Sequence, residues 1–140
     1  MSVPVGQRSA SKLDVQVSAE ELVRHTVHIM SNPNVFDPRY AAFASRVIDC
    51  AVGVGQDLWE ANGIYVGSDP RKWATRRDLQ EQACRRLDTL LYLIGVCRRL
   101  YHLRGGKYRN WSDMATKTRD LARRWRDSDA RRYGHLVFGT

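Results

Sequence analysis

The long segment from Pro70 to Arg104 constrains the fold more than any other part of the chain. It contains no further proline, and Gly95 is its one glycine before "RGG" at 104–106. Such a stretch predicts a single continuous helix that approaches 50 Å in length at ~1.5 Å per residue. Mostly apolar side chains recur along it, nearly all at steps of three or four, the spacing of one buried helical face. This stripe consists of Gln80, Ala83, Leu87, Leu90, Leu91, Ile94, Cys97 and Tyr101.

Start and stop signals predict three further helices. "SAEE" at 18–21 is a capping box with Ser18 as the cap. In both "DP" pairs, an aspartate (Asp37, Asp69) caps the helix and a proline takes its first position. Gly63 is predicted to end the second helix in the left-handed conformation. The predicted helices cover about 18–30, 38–62, 70–103 and 107–130, between a flexible leader at 1–17 and a basic and apolar tail at 131–140.

Two of these helices repeat the three-four pattern. The pattern predicts an all-α fold, an up-and-down antiparallel four-helix bundle, because each stripe needs a neighbouring helix to cover it. The second helix contributes Phe43, Val47, Cys50, Val54, Leu58 and Ala61, and the fourth contributes Tyr108, Trp111, Ala115, Thr118, Ala122 and Trp125.

Charge divides the chain into two unlike halves. Residues 1–70 carry 5 Lys+Arg against 8 Asp+Glu, a net charge of −3, and residues 71–140 carry 18 against 7, a net charge of +11. This asymmetry predicts that the second half meets a polyanion or an acidic partner. On the fourth helix, Trp125 continues the core stripe and its arginines flank it. Arg119, Arg123 and Arg126 fall on one flank, and Lys117, Arg124 and Arg131 fall on the other. The flank of Arg119, Arg123 and Arg126 is predicted to bind the phosphates of a nucleic acid through charge, without reading its bases.

The second helix has an additional apolar face. Ile48, Val52, Gly55 and Trp59 repeat on the side opposite its core stripe. Either the first helix or another subunit must cover this face. A first helix of only three turns favours a subunit contact at Ile48, Val52 and Trp59, anchored by the tryptophan.

Neither a metal site nor a membrane segment is expected. The three cysteines, Cys50, Cys84 and Cys97, are widely spaced on predicted helices, which predicts free thiols in a reducing cytoplasm. The first seventeen residues lack the apolar stretch of a signal peptide, and no run is long enough to span a membrane. No cofactor motif is present in the sequence.

Three segments of the chain resemble a known family. The first is "DPRYAAFASRVIDCAVGVGQDLWEAN", the second contains "Q-x-x-x-R-x-D-x-L" at Gln82–Leu90, and the third contains "K-Y-x-x-W … R-W-x-x-S" at Lys107–Ser128. Over about residues 20–130 the chain resembles the accessory variability determinant (Avd) proteins of diversity-generating retroelements. These belong with four-helix-bundle proteins encoded in ribosomal-RNA intervening sequences.

The resemblance implies a non-enzymatic partner of a reverse transcriptase. Members of the family form a basic homopentamer, bind the reverse transcriptase and nucleic acid, and support error-prone copying of a template RNA into cDNA. The family has no catalytic motif that could be carried over to this chain. Its basic character maps here onto Arg85, Arg86, Arg99, Arg104, Lys107, Arg123, Arg124 and Arg126.

Enzymatic interpretations fit the sequence less well. A helical RNase of the HEPN type needs a longer Arg-to-His spacing than Arg24–His28 or Arg98–His102 provides. "VGVGQD" at 52–57 lies inside a helix rather than after a strand, so it is no phosphate loop. Arg98 points by its helical phase into the core, which predicts a buried ion pair with Asp57. The alternatives are a basic helical adaptor that binds an acidic protein without nucleic acid and, less favoured, an unrecognised nuclease.

Overall fold

The computed structural model describes residues 5–136, with side chains from residue 12 onward. Four long helices are present: α1 (Val5–Ser31), α2 (Ala41–Asn62), α3 (Pro70–Leu100) and α4 (Gly105–Tyr133). A short 3₁₀ turn, Pro38–Tyr40, precedes α2. Each helix packs against the next, and α1 also packs against α4, so the helices close a ring around one core. The predicted all-α four-helix bundle is confirmed, and no strand occurs within residues 5–136.

The Asp69–Pro70 signal starts α3 as predicted, whereas the Asp37–Pro38 signal starts the 3₁₀ turn and α2 begins three residues later, at Ala41. Asp37 accepts a hydrogen bond from the backbone N–H of Arg39, and Asp69 accepts one from that of Arg71, both at 2.9 Å. The predicted left-handed stop at Gly63 is wrong, since its φ is −76°. Its N–H instead bonds the carbonyl groups of the last helical turn, and the left-handed position falls later in the loop, at Gly67 with φ 56°.

The core follows the predicted stripes of α2, α3 and α4. Trp111 is fully buried on α4, and Trp125 is 5% exposed, so the prediction that Trp125 belongs to the core is confirmed. Two glycines of α2 allow neighbouring side chains to approach the helix closely. A Cβ at Gly55 would lie 3.0 Å from Val23 on α1, and one at Gly53 would overlap the guanidinium of Arg86. The large core side chains include Leu22, Met30, Val47, Val54, Leu58, Leu87, Leu90 and Ile94.

The predicted start of the first helix is wrong. Residues 5–17, expected as a flexible leader, are helical, and Val15 is fully buried. Ser18, the predicted cap, instead places its hydroxyl 2.7 Å from that of Thr118 on α4, in the buried centre of α1. The tertiary contacts of Val15 and Ser18 stabilise helical structure on the N-terminal side of Ser18, and they outweigh the local signal for a helix start at that residue. Residues 1–4 of the predicted leader lie outside the described part of the chain.

The predicted tail, residues 131–140, begins with three residues that belong to α4, and residues 134–136 follow the helix. α4 continues to Tyr133, whose ring packs 5.6 Å from that of Trp73 near the start of α3. Residues 137–140 lie outside the described part of the chain. The ring contact ties the end of α4 to α3, so the bundle extends beyond the predicted boundary at residue 130.

Candidate nucleic-acid interface

The turn between α3 and α4 carries a cluster of basic residues at one end of the bundle. The chain reverses direction within Tyr101–Arg104, where His102 has a φ of 53° and the apolar side chain of Leu103 is buried. Residues 89–112 around this turn include no aspartate or glutamate. All five Lys and Arg side chains of this segment are exposed, and we refer to them as the basic end: Arg98, Arg99, Arg104, Lys107 and Arg109.

Helix polarity adds to the charge of the basic end in two ways. Arg98 and Arg99 occupy the last turn of α3, where they offset the negative end of the helix dipole. The first turn of α4 carries no acidic residue, and Arg104 makes no side-chain cap. The positive end of the α4 dipole is therefore left without a carboxylate from its own first turn, beside Lys107.

Arg98 has an aromatic contact at the basic end, and Lys107 lies near α1. The guanidinium of Arg98 lies 4.6 Å from the ring centroid of Tyr108. The pKa of His25 on α1 is lowered, mainly by burial and further by the nearby His28 and Lys107. The C-terminal part of α1 thus approaches the basic end, where a further positive charge on His25 is disfavoured.

The predicted arginine flank of α4 is organised differently. Asp88 on α3 pairs with two of its members, Arg119 at 3.4 Å and Arg123 at 3.2 Å. Arg126 pairs with Asp127 at 3.1 Å, and Arg119 also lies 3.7 Å from Asp120. The flank is off the core stripe, as its helical phase predicts, but each of its three guanidinium groups has a carboxylate neighbour.

Arg124 lies on the outer face of α4, where charges alternate in a regular pattern. Asp113, Asp120 and Asp127 recur every seven residues. Each aspartate is followed four residues later by a basic residue, and an acidic residue before a basic one is the favourable order for such pairs along a helix. The basic residues are Lys117, Arg124 and Arg131. This face is therefore close to charge-balanced, in contrast to the basic end.

Arg85 and Arg86 lie beside a groove between α2 and α3. Arg86 Nε pairs with Asp57 at 2.9 Å, and the Gln82 amide oxygen accepts a hydrogen bond from Arg86 Nη2 at 2.7 Å. Burial raises the pKa of Asp57, and Arg86 opposes that rise. The predicted pairing of Asp57 with Arg98 is wrong, because Arg98 is exposed at the basic end and Arg86 reaches Asp57 over Gly53.

A buried ion pair at the opposite end of the bundle was not predicted. Arg76 on α3 and Asp129 on α4 are each buried, with 2.7 Å between Arg76 Nη2 and Asp129 Oδ2. Gln80 donates to the same carboxylate oxygen at 2.7 Å, and Arg76 donates to the Ile64 carbonyl at 3.0 Å. Trp125 lies beneath the guanidinium at 5.0 Å. A signal was present: extending the core stripes of α3 and α4 by one turn reaches both partners.

The predicted subunit-contact residues are covered to different degrees. Trp59 is 70% exposed and Val52 is 42% exposed, whereas Ile48 is half-buried against the core. α1 lies along part of this face, since Gln16 donates to the Leu58 carbonyl at 2.9 Å. The expected short first helix is thus wrong, but the longer α1 still leaves Trp59 open to solvent.

The cysteines are free thiols, as predicted, with no disulfide among the described residues. Cys84 and Cys97 are buried, and burial raises the pKa of Cys97 to about 12. Cys50 is half-buried and donates to the Arg86 carbonyl at 3.3 Å. These thiols pack as small apolar groups rather than as reactive ones.

The described residues hold neither a metal cluster nor a membrane-spanning helix. Among residues 5–136, no three His, Cys, Asp or Glu side chains gather as metal ligands, and no helix is long and apolar enough to cross a membrane. Comparison with protein-family models, with curated proteins and with solved structures finds no match.

Proposed function

We propose that this chain is a non-enzymatic scaffold that binds nucleic acid through its basic end. Specifically, we propose that it acts in the cytoplasm as the accessory protein of a diversity-generating retroelement. There it would bind the reverse transcriptase and the template RNA or its cDNA, and support mutagenic cDNA synthesis. The resemblance over residues 20–130 supports the retroelement assignment, and the charge geometry supports nucleic-acid binding.

The observation that carries the proposal is the concentration of exposed cations in a segment without a carboxylate. Arg98, Arg99, Arg104, Lys107 and Arg109 lie within residues 89–112 at one end of a rigid hairpin. Elsewhere on α3 and α4, arginines such as Arg123 and Arg86 have acidic neighbours that already offset their charge. A phosphate backbone gains most from cations whose charge is not offset in the free protein.

The basic end is suited to phosphates rather than to base edges in duplex DNA. Phosphate contacts from Lys and Arg position a nucleic acid without reading its sequence. Reading base pairs requires a helix or ribbon that enters a groove, whereas the basic end is a blunt interhelical turn, Tyr101–Arg104. We therefore expect binding that varies little with sequence and weakens steeply with salt.

Two matched triple variants test the proposal. Replacement of Arg99, Arg104 and Lys107 by Ala removes three exposed cations of the basic end. The control replaces Arg119, Arg123 and Arg126, which also removes three cations but takes them from the carboxylate-paired flank. Binding of unrelated RNA and DNA oligomers is measured by fluorescence anisotropy across a salt series, with helicity checked by circular dichroism.

The basic-end variant is expected to reduce the slope of log K against log[salt] by about 2–3, at ~0.7–0.9 per lost phosphate contact. The flank variant should reduce it by less than half as much, because Asp88, Asp120 and Asp127 lie beside those arginines. Absence of wild-type binding at low salt would contradict the proposal. The basic end would then be assigned to an acidic protein partner.

The reverse-transcriptase partnership needs a separate experiment. Co-purification with the reverse transcriptase of a diversity-generating retroelement, followed by template-directed cDNA synthesis with and without the chain, measures it directly. We expect a complex and a rise in misincorporation when the chain is present. A cDNA yield and error rate that are the same with and without the chain would refute the retroelement role, even if nucleic acid is bound.

A further inference from the structure

An exposed tyrosine lies on α3 between two arginines. Tyr92 is 70% exposed, and it is seven residues from Arg85 on one side and seven from Arg99 on the other. Residues seven apart on a helix are nearly in line, since seven steps of ~100° fall only about 20° short of two turns. Arg85, Tyr92 and Arg99 therefore form one row, which we call the α3 row, leading to the basic end.

The α3 row borders the groove between α2 and α3. This groove has a volume of about 710 Å³ and is lined by the apolar groups of Phe43, Cys50 and Leu93. Arg46 on α2 also lines it. Asp49 is the one carboxylate among its lining residues, and Arg86 on the same wall is paired with Asp57. The groove thus presents an aromatic ring, two arginines (Arg46 and Arg85) and one carboxylate (Asp49) around the apolar groups of its floor.

We infer that the α3 row is a binding track for single-stranded nucleic acid, in which a base stacks on Tyr92 and phosphates contact Arg85 and Arg99. This inference depends on the proposed nucleic-acid binding and adds the strand type and the stacking residue. Grooves that bind single strands combine a line of cations with aromatic rings, because every base has a face that can stack. The row spans about 20 Å, the reach of a short single-stranded segment.

The composition of the row favours a nucleic acid over a protein helix in this groove. An amphipathic protein helix needs apolar anchors at spacings of three, four and seven along the groove. The α3 row instead places one aromatic residue between cations and leads into the basic end, which exposes five Lys and Arg side chains. A duplex would satisfy the cations but would keep its base faces stacked inside, out of reach of Tyr92.

The test compares Tyr92→Ala with Tyr65→Ala. Tyr65 is a matched control because it is also a tyrosine, is 83% exposed, and lies in the α2–α3 connection at the other end of the bundle. Labelled single-stranded oligomers of about 12 nucleotides and duplexes of the same sequence are titrated by anisotropy. Tyr92→Phe serves as the conservative variant, because it retains the ring and removes only the hydroxyl.

Tyr92→Ala is expected to weaken single-strand binding by roughly 5- to 100-fold, the loss of one stacked base. It should leave duplex affinity and the salt slope unchanged, since no charge is removed. Tyr92→Phe should restore single-strand affinity, and Tyr65→Ala should have no effect. Photo-crosslinking with bromouridine oligomers, read by mass spectrometry, should place the adduct on Tyr92.

Several outcomes would overturn the inference. Equal losses from Tyr92→Ala and Tyr65→Ala, or an equal loss for duplex, would show that Tyr92 does not stack on a base, while phosphate binding by the basic end would stand. A changed oligomer mass in Tyr92→Ala would assign the ring to a subunit contact. Loss of reverse-transcriptase binding with unchanged single-strand affinity would assign the groove to a protein partner. If the wild type binds neither strand form, the proposed function fails together with the track.

Discussion

Arg76 and Arg99 lie on the same helix, about six turns apart, in opposite environments. Arg76 is 6% exposed, pairs with Asp129 and lies over Trp125. Arg99 is exposed in the last turn of α3, in a segment without any carboxylate. One guanidinium therefore stabilises the contact between α3 and α4, and the other is available to a partner.

The environments of Arg76 and Arg99 differ because α4 places different residues beside the two ends of α3. At the Arg76 end, α4 places Asp129 on its core stripe, and Gln80 completes the pairing of that carboxylate. At the Arg99 end, α4 begins with two glycines and Lys107. The residue type alone thus says little about the role of an arginine, because the nearest carboxylate decides whether its charge is already offset.

The largest expected effect comes from Arg76. Arg76→Met should lower the free energy of unfolding by about 3–5 kcal/mol, because it leaves the buried carboxylate of Asp129 without its cation. Arg99→Met is the matched control on the same helix, and it should change stability by less than about 0.5 kcal/mol. Urea unfolding followed by circular dichroism measures both variants.

A double variant sharpens this first prediction. Replacement of Arg76 by Met together with Asp129 by Leu removes both charges and should recover much of the stability lost in Arg76→Met. Equal stabilities for Arg76→Met and Arg99→Met would show that Arg76 contributes no more than Arg99 to the free energy of unfolding.

An effect of intermediate size is expected at Trp59. This residue follows Leu58 on α2, near the Arg76 end of the bundle, and its ring is 70% exposed. α1 adds the exposed apolar side chains of Leu13 and Val17 on either side of Gln16, which bonds to Leu58. We propose that this apolar face is a contact between copies of the chain, with the pentamer implied by the resemblance as the expected assembly.

Trp59→Glu should weaken assembly by at least about 2 kcal/mol, the size of an interface hot spot. Its mass by light scattering at micromolar concentration should fall, while Tyr65→Glu should keep the wild-type mass. A wild-type chain that is monomeric under these conditions would contradict the proposed contact. Retained phosphate binding in Trp59→Glu would show that the apolar face and the basic end act separately.

The smallest expected effect concerns His25, near the basic end. Its pKa lies below the ordinary value of 6.5, chiefly because of burial. As the pH falls through 6.5, the unfolded chain takes up a proton that the folded chain does not, so stability decreases on acidification. His25→Gln should remove this part of the decrease between about pH 7.5 and 5.5. Identical pH profiles for the wild type and His25→Gln in thermal melts would contradict this assignment.

Several features of the bundle could be predicted from local sequence because their causes are local. The Asp37 and Asp69 caps act through N–H groups two residues away. The three-four stripes of α2, α3 and α4 identified core side chains such as Val47, Leu87 and Trp111, since helical phase depends only on the spacing within one helix. The cluster of cations around the α3–α4 turn is likewise a property of one continuous segment.

Other features depended on contacts between distant residues. α1 begins at Val5 rather than at Ser18, because Val15 is buried and Ser18 meets Thr118, 100 residues away in sequence. The pairing of arginines was equally non-local: Asp88 meets Arg119 and Arg123 across two helices. The sequence by itself determined which residues are charged and which helical face each occupies. Only the tertiary structure decided which charges are offset, because the strength of an ion pair depends on the distance between its atoms and on burial.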